Sequence, residues 1–182
     1  MTLSEPTDVL ERCTGAALAL AAEQPWGEVS LRLIAERAEV PLPDLYAKAP
    51  TKGLLLFRIG LTFDRAALAT AATPSDDVHD RLFDAAMARV EAMEPHRTAL
   101  ISIARGGGMP AILAHLPFTA RAILEAAGVT ATPPRVLAMT AVWTRIVRVW
   151  RDDEGALNRT MAEIDKRLKQ LRNRLRLIGQ GF

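Results

Sequence analysis

Cysteine is nearly absent, with Cys13 alone in 182 residues. No intramolecular disulfide is possible, which fits a reducing, cytoplasmic setting. One thiol also excludes paired-cysteine, all-thiolate and zinc-finger metal sites. Aromatic residues are scarce at 5%, so the 49% apolar content rests mainly on Ala and Leu, a helix-forming composition. No apolar run approaches the ~18 residues of a membrane span. The first ten residues carry Glu5 and Asp8 and no apolar core, so a signal peptide is not expected. An excess of one charge is missing too. Lys and Arg number 23 against 21 acids, a net of +2. The isoelectric point near 9.0 overstates this, because close to balance two charges move it far.

Catalytic signatures are missing as well. His79, His96 and His115 are scattered, and there is no HExxH, GxSxG or phosphate-binding loop. The Gly106-Gly107-Gly108 run lacks the lysine and following helix of such a loop and reads as a helix end and hinge. The expectation is therefore a non-enzyme with no metal and no cofactor.

What is present is helical periodicity. A helix over 7–24 places Cys13, Ala16, Ala17, Leu20 and Ala21 on one face. Ser30 caps a short second helix, 39–41 is a tight turn, and a third helix covers roughly 43–47. Thr51 caps a fourth over 52–72. Residues 73–77 read as a linker, followed by helices over 77–93, from 95 to the glycine run, and over 110–127 with a break or kink at Pro117. In the eighth helix, 135–152, Val136, Met139, Trp143, Ile146 and Trp150 step by threes and fours. The last, 156–178, repeats that spacing from Leu157 to Ile178.

Residues 30–41 (Ser-Leu-Arg-Leu-Ile-Ala-Glu-Arg-Ala-Glu-Val-Pro), then Leu45-Tyr46 and Thr51-Lys52-Gly53-Leu54-Leu55, resemble the tetracycline-repressor (TetR) family of transcriptional regulators. The resemblance covers about residues 7–60. It implies an all-α fold with a helix-turn-helix unit over 1–50 and a ligand-binding and dimerisation domain over 51–182. It also implies a ligand-responsive repressor that binds DNA as a homodimer. The implied DNA-contacting residues are Arg32, Leu42, Asp44, Tyr46, Lys48, Thr51 and Lys52. Two departures stand out. Glu39 occupies the turn position where the family has glycine, and Lys48-Ala49 replaces a His-Phe pair. Residues 1–60 hold eight acids and six bases, a net of −2 on the unit expected to meet a polyanion.

A second resemblance runs through Arg81-Leu82-Phe83, 91–97, Ala126-Ala127-Gly128, 143–150, Asp152-Asp153-Glu154, Thr160 and Asp165-Lys166-Arg167. These are similar to bacterial relatives of the lipid-binding accessory protein of coenzyme Q biosynthesis, itself TetR-like in fold. It implies an alternative function: lipid binding without DNA, with an amphipathic terminal helix at a membrane surface. Candidate pocket residues for an apolar small molecule or lipid are Leu100, Ile103, Met109, Leu113, Phe118, Trp143 and Val147. On the last helix Ile164, Leu168, Leu171, Leu175 and Ile178 form an apolar arc, with Arg172 and Arg176 among the bases outside it. Residues 164–182 carry six bases against Asp165, a net of +5. Such a helix reads as a dimer seam or a peripheral membrane contact.

Overall fold

The computed structural model describes the backbone of residues 9–153, 155 and 157–177, and side chains to residue 173 within that range. All described regular structure is helical: α1 Val9–Glu23, α2 Leu31–Arg37, α3 Leu42–Lys48, α4 Lys52–Ala69, α5 Val78–Met93, α6 Arg97–Ile103, α7 Met109–Ala126, α8 Pro133–Arg151 and α9 Asn158–Leu177. Short 3-10 turns occupy Trp26–Glu28, Thr70–Ala72 and Glu94–His96.

The helices follow local rules. Ser30 Oγ accepts the Leu33 amide at 3.1 Å and starts α2, and Thr51 Oγ1 accepts the Leu54 amide at 3.2 Å at the start of α4. Asp77 accepts the His79 amide at 2.6 Å and starts α5. Gly128, at φ 69°, ends α7: the amides of Gly128 and Val129 return to the carbonyls of Glu125 and Leu124 at 3.0 and 2.9 Å. Of the break or kink expected at Pro117, the break does not occur: α7 runs through it as a single helix. Proline removes one donor, to the carbonyl of Leu113, on the side of the helix where Leu113 and Pro117 are exposed and water can take the bond.

The chain forms two compact units, residues 1–60 with 96–114, and residues 61–95 with 115–182. This division differs from the sequence-based one at residue 50, because α6 packs on α1 and returns the chain to the first unit. In that unit Cys13, Ala17 and Leu20 of α1, Trp26, Ile34 of α2, Leu45 of α3 and Ile103 of α6 are buried, with α1 packed on α2, α3 and α6. Each fully buried Ile or Leu contributes about 1.5–3 kcal/mol. Ser102 stitches the turn down, accepting the Trp26 amide at 3.1 Å and donating to the Gln24 carbonyl at 3.3 Å. The glycine run bends the chain between α6 and α7. Gly107 has φ 93°, and a Cβ on Gly106 would lie 2.8 Å from both Trp26 Cβ and the Gly27 nitrogen.

In the second unit α9 packs on α8 and α5. Met139, Trp143, Ile146 and Trp150 of α8 are buried with Leu82, Ala86 and Val90 of α5. Ile164, Leu168 and Leu171 are buried in this unit's own core. From Ile164 to Leu171 the 4-3 seam expected to face a second copy or a membrane is thus covered by the chain itself, whereas Met161, earlier in the same stripe, is exposed. The side chains of Leu175 and Arg176, together with Ile178 and Glu154, lie outside the described residues.

A window within Val78–Ala126 is apolar enough to cross a membrane by length and composition alone. That stretch is not one helix, since Glu94–His96 and the bend over 104–108 divide it into α5, α6 and α7.

Candidate nucleic-acid interface

α2 and α3 form a helix-turn-helix within the first unit. α2 stops by a reciprocal pair of bonds: the Glu39 amide returns to Glu36 at 3.2 Å and the Val40 amide to Ala35 at 2.9 Å. This stop requires a left-handed residue, and Glu39 supplies it at φ 53°. Arg12 of α1 holds the turn, donating to the carbonyls of Ala38 and, at 2.8 Å, Glu39. Pro41 and Pro43 then set the start of α3.

α3 is anchored inward by Leu45, with Ala49 buried at its end. At about 100° per residue, Pro43 and Ala47 stand opposite Leu45. Leu42 and Tyr46 form one flank, Asp44 and Lys48 the other. All six are exposed, Tyr46 at 59%. Of the remaining expected contacts, Arg32 is exposed and bonded to Glu36 at 2.8 Å, and Thr51 is occupied as the cap of α4. Lys52 donates to the carbonyls of Trp26 and Val29 at 2.9 and 2.7 Å and lies 4.7 Å above the Trp26 ring. Burial pushes its ammonium below the ordinary lysine range. Two of its three ammonium donors are thus committed to backbone carbonyls.

Three arginines of this unit sit beside carboxylates: Arg12 by Glu39 at 4.0 Å, Arg32 by Glu36, and Arg37 in a two-bond pair with Glu23. Residues 96–114 add Arg97 and Arg105 and no acid. The unit is therefore formally balanced, eight against eight, where residues 1–60 alone gave −2.

The candidate pocket residues separate. Leu100, Ile103, Met109 and Leu113 belong to the first unit, and Phe118, Trp143 and Val147 to the second. Ile103 and Trp143 are core side chains, Met109, Leu113 and Phe118 are exposed, and Leu100 and Val147 are half-buried. Arg172 lines a surface hollow of about 310 Å³ with Asp76, Asp77 and His79.

A polar cluster that sequence reasoning missed lies inside the second unit. Asp64 of α4 accepts from Arg89 Nε at 2.7 Å, from Thr119 Oγ1 at 3.0 Å and from His115 Nε2 at 2.8 Å. All four residues are buried, and the Arg89 guanidinium lies 4.8 Å from the Trp143 ring. Burial alone would raise the Asp64 pKa, but hydrogen bonds and charge from His115 and Arg89 outweigh it and hold the carboxyl below its usual range. The available signal was spacing, since Arg89 occupies an inward position between Ala86 and Met93.

Solved structures share the overall helical fold. A TetR transcriptional regulator from Rhodococcus sp. RHA1 superimposes with a TM-score of 0.68 at 17% identity, covering 88% of this chain and 93% of that one. The chain has the TetR fold. A TetR-family regulator from Streptomyces coelicolor gives a TM-score of 0.58 at 18% identity over 97% of this chain and 83% of that one. A TetR-like regulator from Rhodococcus sp. RHA1 gives 0.55 at 16%, over 92% and 97%. No protein-family model matches the sequence, and no curated protein matches it. In this chain Glu39, at φ 53°, takes the left-handed position of the turn between α2 and α3.

Proposed function

We propose that this chain is a DNA-binding transcriptional regulator that works as a homodimer and responds to an apolar small molecule bound by its C-terminal part. The observation that carries the reading is α3: seven residues seated on Leu45, with Leu42, Pro43, Asp44, Tyr46, Ala47 and Lys48 exposed. A helix presented this way by a helix-turn-helix fits the major groove. Leu137 on α8, 73% exposed, is a large apolar side chain on the outward face of that helix and supports self-association through it.

The test is titration of the full chain against the DNA upstream of its own gene at low and moderate salt, with the oligomeric state followed by light scattering. Saturable, sequence-selective binding is expected. Its salt slope should be shallow, because three arginines of the reading unit are already beside carboxylates. Absence of selective binding at low salt overturns the reading.

A second reading draws on that same charge balance: a lipid-binding accessory protein that uses the fold without DNA. It predicts an isoprenoid or acyl lipid in a solvent extract of the purified chain. A membrane contact through Ile164, Leu168 and Leu171 has less support, since those side chains are buried.

A further inference from the structure

Asp44 is an unusual residue to present to DNA. It is exposed on the first turn of α3, and its carboxylate makes no side-chain hydrogen bond or ion pair with the described residues. The N-terminal turn of a recognition helix is the part that meets base edges. Here that turn offers Leu42, Pro43 and Asp44, so it carries no side-chain hydrogen-bond donor. Guanine is ordinarily read by Arg or Lys donating to O6 and N7, and this turn has no such group. A carboxylate instead needs a donor on the base. Guanine and thymine present acceptors in the major groove and repel it. Adenine offers N6–H beside the acceptor N7. Cytosine offers its 4-amino group with no acceptor of its own alongside.

The centre of the outward face is small and apolar, formed by Pro43 and Ala47 opposite Leu45. A face without long side chains at its centre permits close approach to the groove floor, and apolar contact there suits a thymine methyl. Both preferences select pyrimidines.

We propose that Asp44 is the specificity-determining residue of this chain, accepting a hydrogen bond from the 4-amino group of one cytosine in each half-site. Pro43 and Ala47 lie against neighbouring thymine methyl groups. This rests on the DNA-binding reading above. It deepens that reading by assigning a half-site fixed at cytosine and lacking a directly read guanine on the strand facing Asp44.

The experiment selects duplexes from a randomised library with the full wild-type chain, then with Asp44→Asn and Asp44→Ala. Anisotropy titrations follow on the selected site. The wild type should enrich one invariant cytosine per half-site and prefer it by roughly 5- to 150-fold over other bases. Asp44→Asn should move that position to adenine, which an amide reads through N6 and N7. Asp44→Ala should leave it unselected. A DNA-side arm leaves the protein unchanged: replacing the cytosine with 2-pyrimidinone, which lacks only the 4-amino group, should weaken the wild type by the same factor and Asp44→Ala not at all. If the wild type enriches a site but both variants keep its base preferences, or 2-pyrimidinone binds as well as cytosine, the assignment of Asp44 is overturned while DNA binding stands. If the wild type enriches no site, both fall.

Discussion

The two compact units use arginine in opposite ways. In the first, Arg32 and Arg37 lie on the surface beside Glu36 and Glu23, wetted and screened. In the second, Arg89 is buried against Asp64, with His115 and Thr119 completing the carboxylate and Trp143 covering the guanidinium. The pair chemistry is the same, but the stakes differ. An exposed pair exchanges water contacts for protein contacts at little net gain. A buried pair commits two desolvated ions to each other, so loss of one strands the other.

The largest effect should come from breaking the buried set. Arg89→Met strips the buried Asp64 carboxylate of its guanidinium, leaving only His115 and Thr119 on it, and should cost about 3–5 kcal/mol in denaturant unfolding at neutral pH. Adding Asp64→Leu to Arg89→Met should recover part of that loss. A cost below about 1 kcal/mol for the single change would mean the cluster is hydrated and would erase the contrast.

The same cluster sets a pH dependence. The folded Asp64 carboxyl lies below its unfolded value near 3.9, so the unfolded chain binds more protons between the two. Its contribution is present above the ordinary carboxylate range and is lost as pH falls through the depressed folded value. Unfolding followed from pH 6 into the acid range should show this loss, and Asp64→Asn should flatten it. An equally steep acid loss in Asp64→Asn would assign the slope to other groups.

A second contrast is between two helix stops of one design. Gly128 ends α7 at φ 69° and Glu39 ends α2 at φ 53°. A side chain in the left-handed region costs roughly 1–2 kcal/mol, so Glu39→Gly should raise stability by about 1 kcal/mol in thermal unfolding, with the Arg12 bonds to the turn carbonyls retained. The smallest effect belongs to the surface pairs. Arg32→Ala should change stability by less than about 0.5 kcal/mol, and added salt should shrink even that.

Much of the fold could be read from short-range pattern. The 3-4 spacing of Met139, Trp143, Ile146 and Trp150 placed α8 and its inward face, and Ser30 and Thr51 marked the starts of α2 and α4. The third helix was legible too, read as roughly 43–47 between a proline turn and the break before Thr51, and found over Leu42–Lys48. Lys52 was not. Its ammonium meets carbonyls 23 and 26 residues away, a contact no local spacing reports. Periodicity also assigned Ile164, Leu168 and Leu171 to one stripe correctly, but a stripe does not name what covers it.

By itself the sequence determined the all-helical class, the order of the helices, their caps and the presence of a helix-turn-helix. Those depend on backbone hydrogen bonds and side chains within about four residues of each other. Tertiary structure alone decided that α6 belongs with the first unit, that Ile164, Leu168 and Leu171 of α9 are buried within their own unit, and that Asp64 meets Arg89, His115 and Thr119. These contacts join residues 25, 51 and 55 positions apart in the cluster. Their energies depend on burial, which exists only once the helices have packed.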